Sequence, residues 1–162
     1  GELGKQFMAR SVEKTYLAVC RGWPAEIGEI DYPLGDVRPN SPKKPALTRY
    51  RRLATIEVPI ALGKYAQQRY ALMAVDPETG RYRQIRKHFH HISHHLIGDT
   101  SHGRTEHNRL FQSTWQVGRL LLHARRLAFT HPVSGERMTF VAPLDREFQR
   151  VIDVFGWGDA GF

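Results

Sequence analysis

Apolar and polar positions along this chain follow two periods, and the switches between them divide it into strands and helices. Glu13-Lys14-Thr15-Tyr16-Leu17-Ala18-Val19-Cys20 is rich in aromatic and β-branched residues and predicts a strand, closed by Gly22-Trp23-Pro24. Ahead of it, residues 5–13 read as the end of a helix, with Phe7 and Met8 apolar among polar neighbours. Thr48 to Ile60 and Gln67 to Val75 alternate as strands on either side of Leu62-Gly63-Lys64-Tyr65, and the two are expected to pair. Between the first strand and this pair, prolines 33, 39, 42 and 45 exclude a central strand or a helix, so Arg38 to Pro45 reads as a basic surface loop.

The turn signal Asp76-Pro77-Glu78-Thr79-Gly80 hands over to a helical stretch from Arg81 to Ile92. There Ile85, Phe89 and Ile92 share one face at i, i+4, i+7, which leaves Arg86 and Lys87 off the apolar stripe. Residues 98–116 are polar and read as an irregular excursion, a length of loop that more often carries function than not. Leu120 to Ala124 and Leu127 to Phe129 return to the core, Met138 to Val141 reads as a strand, and Asp145 is placed to N-cap a last helix through Phe155. The pattern predicts an α/β protein of the mixed α+β kind, strand-dominated with helices interspersed, and 162 residues fit a single domain.

Charge changes this picture more than composition does. Hydrophobic residues at 41% and charged residues at 25% are ordinary globular usage, but 24 Lys and Arg against 16 Asp and Glu give +8, which favours a polyanionic partner. No apolar run reaches the roughly 18 residues of a membrane span, and the start has no signal-peptide pattern, so a cytoplasmic protein without a membrane partner is expected. Cys20, the single cysteine, excludes an internal disulfide and a cysteine-cluster metal site, and its apolar neighbours predict a buried small hydrophobe. The opening Gly1-Glu2-Leu3-Gly4 has no methionine, which leaves processing, a tag or a fragment open.

Three constellations could carry chemistry. The densest basic cluster is Arg81, Arg83, Arg86 and Lys87, interleaved with Tyr82 and Gln84 just after a strand-to-turn junction. Arginine there could fork onto phosphates or hold a buried carboxylate, and by charge density alone RNA contact and a solvated helix face fit equally. His88, His90, His91, His94 and His95 form the second, and the pairs 90/94 and 91/95 have the spacing that puts two imidazoles on one helix face. A carboxylate is missing between them, so basic surface or backbone-bonded histidines fit better than a metal site. The third is Lys14-Thr15-Tyr16, where a strand tyrosine either packs in the core or stacks on a base. No nucleophile elbow, Gly-rich phosphate loop or Walker sequence occurs, which argues against a nucleotide cofactor.

In order along the chain, these pieces resemble the RluA-like family of pseudouridine synthases. Glu13-Lys14-Thr15-Tyr16-Leu17-Ala18 is similar to that family's Lys-x-Tyr strand, and Thr79-Gly80-Arg81-Tyr82-Arg83-Gln84-Ile85-Arg86 to its Thr-Gly-Arg-x-His-Gln-Ile/Leu-Arg motif, with Arg83 where histidine is usual. Ile97-Gly98-Asp99 with Gly103, Leu121-Leu122-His123-Ala124, Phe129-Thr130-His131-Pro132 and Phe140-Val141-Ala142-Pro143 follow in family order. Asp31-Tyr32-Pro33-Leu34, the Pro-Lys loop and Phe155-Gly156-Trp157 most resemble the branch acting on uridine 65 of tRNA.

The resemblance implies the family's catalytic-domain fold, a largely antiparallel mixed sheet flanked by helices and loops. It also implies an RNA-modifying isomerase that works on tRNA without cofactor or metal, and a monomer is expected. A family aspartate in a His-Arg-Leu-Asp motif would attack a flipped-out uridine. That motif belongs ahead of the Lys-x-Tyr strand, and here the first aspartate is Asp31, after Tyr16. The chain therefore reads as a catalytic domain lacking its N-terminal portion and inactive by itself. By the same resemblance Tyr16 would stack on the base and act as general base, and Arg86 would pair with the aspartate. Arg81, Arg83, Ile85, Lys87, Leu122, His123, Lys43 and Lys44 would bind substrate. A non-catalytic RNA-binding module is the alternative.

Overall fold

The computed structural model describes residues 1–8 and 11–162, with side chains described at 1–5 and 11–162. Elements run in the order α1 (Glu2–Met8), β1 (Glu13–Arg21), β2 (Ile27–Asp31), β3 (Leu47–Val58), β4 (Gln68–Pro77), α2 (Gln84–His91), α3 (Thr105–Trp115), β5 (Leu122–Thr130), β6 (Arg137–Val141) and α4 (Arg146–Val154). The strands form one sheet in the order β2-β3-β4-β1-β5-β6, every neighbouring pair antiparallel. The mixed α+β class read from the pattern is the one observed.

Because successive side chains on a strand point to opposite faces, the two central strands feed two cores at once. Leu17 and Val19 of β1, with Tyr70 and Leu72 of β4, pack on one face against Phe111, Phe148, Val151 and Ile152. Ala18 and Cys20, with Ala71, Met73 and Val75, pack on the other against Ile85, Phe89 and Leu96. Burial on both faces is why β4 reads as an unbroken apolar run, Tyr70-Ala71-Leu72-Met73-Ala74-Val75, with all six residues at or below 2% exposure.

Helix α4 is specified locally. Asp145 accepts hydrogen bonds from the amides of Glu147 and Phe148 at 3.1 and 3.0 Å, the N-cap expected of it, and also pairs with Arg119. Phe148, Val151, Ile152 and Phe155 then line its buried face at i, i+3, i+4, i+7.

The structure corrects several boundaries. The excursion at 98–116 contains an 11-residue helix, α3, and β2 is an additional edge strand. Leu120 to Phe129 holds one strand, β5, rather than two core segments. Helix α2 begins at Gln84 and not Arg81, since Arg83 adopts a left-handed backbone at φ 52°. The helix expected over residues 5–13 is present as Glu2–Met8, Glu13 already belongs to β1, and residues 9 and 10 lie outside the described residues. The Pro-Lys loop closes on itself: Leu34 and Lys44 exchange backbone hydrogen bonds at 2.9 Å each way, and Ser41 donates to the Arg38 carbonyl at 3.2 Å.

Candidate functional site

The first half of β1, the end of β4 and the segment leading into α2 meet on the α2 face of the sheet and leave a cavity of about 270 Å³. Lys14, Tyr16 and Leu122 line its strand side, Pro77, Thr79, Gly80 and Arg81 its mouth, and Arg83, Gln84, Ile85 and Arg86 the helix side. That is just under the roughly 300 Å³ at which ligand pockets usually start, so the cavity suits a single small ring better than a larger ligand. Lys14 and Tyr16 share a face because they lie two apart on β1, and a register shift in the β1–β5 pairing falls beside Tyr16.

Gln84 organises the turn that forms the mouth. Its side chain is 4% exposed, and both of its polar ends are used twice. Oε1 accepts from the Thr79 hydroxyl at 2.6 Å and the Arg81 amide at 3.0 Å, while Nε2 donates to the Leu47 carbonyl and to Thr48 Oγ1, each at 3.0 Å. Residues 79–81 are thereby tied to β3. Although it is interleaved with the basic cluster in sequence, the Gln84 side chain is directed into the protein. Thr48 in turn donates to His88 Nδ1 at 2.7 Å, and His88 Nε2 donates to the Tyr32 carbonyl at 2.9 Å. The carbonyl can only accept, so His88 is the Nε2–H tautomer, and burial lowers its pKa in keeping with a neutral ring.

Arg86 is held at one edge. Its Nε donates to Asp99 Oδ2 at 2.9 Å and its Nη2 to Asp99 Oδ1 at 2.8 Å, a two-point pair with a carboxylate only 1% exposed. Asp99 Oδ1 also accepts from the Ser101 and His102 amides at 3.0 and 2.9 Å. Burial pushes the Asp99 carboxyl pKa up, but the Arg86 bonds and the two amides outweigh it and hold it below its ordinary value. Glycine is required on both sides of this loop. A Cβ on Gly98, whose φ is 84°, would run into the Arg119 carbonyl, and one on Gly103 would run into that of Asp99. Asn108 closes the loop, accepting from the Gly98 amide at 2.7 Å and donating to the Asp99 carbonyl at 3.0 Å. No carboxylate lines the cavity among the described residues.

Of the residues singled out in the sequence, Tyr16, Arg81, Arg83, Ile85, Arg86 and Leu122 come together here. Lys44 lies along an adjoining groove that shares Gly80 and Arg81 with the cavity. Burial and the nearby charges of Lys43 and Arg83 lower the Lys87 pKa, and of these three cations Arg83 lines the cavity itself. Lys87 and Arg83 also sit 4.9 and 5.0 Å from the centre of the Tyr82 ring, which is 40% exposed. His123 is not brought to the cavity. It follows Leu122 on β5 and so points to the other face, donating from Nε2 to the Ala142 carbonyl at 3.2 Å near Phe148.

The paired histidines of the sequence do not share a helix face. Helix α2 ends at His91 and Ser93 turns the chain at φ 61°, so His94 and His95 lie beyond it. His91 stacks on Tyr32 at 3.6 Å, and His94 donates from Nδ1 to the Arg21 carbonyl at 2.8 Å. No group of three His, Cys, Asp or Glu residues among those described could hold a metal ion. Three residues of the site carried no assigned role in the sequence: Lys14, Gln84 as an organiser, and Asp99. Only their places in the resembling motifs pointed to them.

The family model described as RNA pseudouridylate synthase matches residues 1–91. A protein of Pectobacterium carotovorum named tRNA pseudouridine synthase C is 44% identical over 96% of this chain, and the chain spans 44% of that relative. One of the same name from Vibrio cholerae is 40% identical over 98% of the chain, which spans 69% of it. Among solved structures, human RNA pseudouridylate synthase domain containing 4 superposes with a TM-score of 0.70 at 21% identity, covering 95% of this chain and 66% of its own. That likeness shows the fold.

Proposed function

Since the chain belongs to the RNA pseudouridylate synthase family, we propose that its cavity is the uridine pocket of a tRNA-modifying isomerase, with uridine 65 of tRNA as the target. The observation that carries this reading is the convergence of Tyr16, Leu122, Ile85 and Arg86 on one small cavity rimmed by cations. A flipped uracil fits between Leu122 and Ile85 with its face against the Tyr16 ring. Arg81, Arg83, Lys87, Lys43 and Lys44 take the phosphates that flank it.

The nucleophile is a carboxylate supplied from outside these 162 residues, approaching the free edge of Arg86. It attacks the ribose, the bond from C1′ to uracil N1 breaks, the base turns, and C5 bonds to C1′. The carboxylate–C1′ bond breaks as C5 bonds to C1′, and the Tyr16 hydroxyl gives its proton to N1 and takes up the one lost from C5, so atoms balance without cofactor or metal. Arg86 stabilises the carboxylate as an anion before attack and as a leaving group afterwards. The expected place of action is the cytoplasm, where tRNA substrates are found.

This reading makes the 162-residue chain a tRNA binder that turns nothing over. Incubation with unmodified tRNA, followed by nucleoside analysis, tests it: binding without pseudouridine is expected, and turnover by the chain alone would overturn the claim that its nucleophile lies elsewhere. A full-length protein that bound tRNA but formed no pseudouridine would favour the non-catalytic module.

A further inference from the structure

Arg86 lines the cavity, and only one edge of its guanidinium is taken by a partner within the protein. The Nε and Nη2 edge is taken by Asp99, whereas Nη1 has no hydrogen-bond partner among the described residues. A guanidinium held at two points has lost rotation about its last torsions, so its remaining N–H groups aim in one direction. We propose that Asp99 is a positioning residue for catalysis, fixing the Arg86 fork so that its Nη1 edge meets the incoming carboxylate. The assignment rests on the reading of the cavity as a uridine pocket.

The surroundings of Asp99 are built for such a role. A carboxylate at 1% exposure is costly unless every lone pair is matched, and here four donors converge on it: two from Arg86 and the amides of Ser101 and His102. Its backbone is clamped as well. Ile97, two residues before it, donates to the Val19 carbonyl of β1 at 2.9 Å and accepts from the Leu121 amide at 2.9 Å, and Asn108 of α3 holds the Asp99 carbonyl. Asp99 is thus referenced to β1, which carries Tyr16, and to Leu121, which leads directly into β5 and Leu122. Arg86 comes from α2, and the ion pair sets the helix-borne cation in the frame of the strand-borne pocket wall.

Asparagine at position 99 is close in shape and tests the idea. With its carbonyl in the place of Oδ1 it keeps the Nη2, Ser101 and His102 donors, but its amide then confronts Arg86 Nε, donor against donor. The fork must turn. In the full-length protein, Asp99→Asn should slow single-turnover pseudouridine formation about 100-fold, the order expected when a catalytic group is misplaced by an ångström, with tRNA affinity within about twofold. Taking the rate per tRNA-binding molecule removes any effect of a partly unfolded preparation. Asp99→Asn added to Arg86→Lys should slow the reaction no further than Arg86→Lys alone, whereas a purely structural aspartate would give additive losses. Asn108→Ala, which releases the Asp99 backbone without touching its carboxylate, should slow the step about tenfold and covers the case in which Asp99→Asn does not fold. An active wild type with Asp99→Asn or Asn108→Ala equally fast overturns the assignment alone. A full-length wild type that forms no pseudouridine overturns the uridine-pocket reading, and this assignment with it.

Discussion

Gln84 donates to the hydroxyl of Thr48 at 3.0 Å, and that hydroxyl passes a hydrogen bond on to His88 at 2.7 Å, so a buried polar chain crosses from α2 to β3 and back. Its members are 4%, 0% and 0% exposed, and each is satisfied through the others. The chain fixes the turn that forms the mouth of the cavity, which makes the pocket's shape depend on residues that never reach its interior.

Thr48→Val keeps the shape of this side chain and removes its hydroxyl, stranding a Gln84 N–H and His88 Nδ1 together. A loss of about 1–3 kcal/mol for each stranded group is expected. Urea unfolding of the variant against the parent checks it; an unchanged midpoint would mean that the chain is not structural.

Lys43, Arg83 and Lys87 are close enough for their charges to act on one another and are assigned to phosphates. Lys43→Ala with Lys87→Ala should weaken tRNA binding and make it less sensitive to salt, with the slope of log K against log salt falling by about 0.7 for each phosphate of single-stranded RNA that is no longer neutralised. Binding isotherms between low and moderate salt measure this. An unaltered slope would place the phosphates elsewhere.

Two buried histidines set a pH dependence. Burial is the main cause that lowers both His95 and His107 from 6.5 to about 4. Tyr70, whose own pKa burial pushes up, donates to the neutral His107 ring at 2.8 Å. The folded state thus binds fewer protons than the unfolded one between these values, and stability falls as pH drops from 6.5 towards 4. Thermal unfolding midpoints across that range should decline, and His107→Gln, which can still accept from Tyr70, should flatten the decline. A flat profile in the parent protein would contradict the assignment of neutral, buried rings.

How much of this was legible in the sequence follows from the range of the forces involved. Strands β1, β3 and β4 were visible because burial of alternate or of all positions imprints itself on neighbouring residues, and α4 because its cap and apolar stripe are local. Helix α3 was not, because only His107 and Phe111 of its 11 residues are buried and the rest reads as loop. The start of α2 was displaced by the left-handed Arg83, a conformation that no side-chain pattern announces. Tyr16, Ile85, Arg86 and Leu122 were named as site residues through their resemblance to family motifs, and the fold brings them together. The Arg86–Asp99 pair spans 13 positions across an irregular loop, so spacing carried no sign of it.

The central claim is that the cavity beneath Arg86 converts uridine to pseudouridine, with Arg86 serving the reacting carboxylate more than the grip on RNA. Its most direct test is to compare full-length wild type with Arg86→Ala, measuring both tRNA affinity and the single-turnover rate of pseudouridine formation in the same preparations. The account expects the rate to fall by about 100-fold or more while affinity changes by no more than about threefold, the signature of an interaction made at the reacting centre. Turnover that survives Arg86→Ala, or falls only in step with weakened binding, would contradict it.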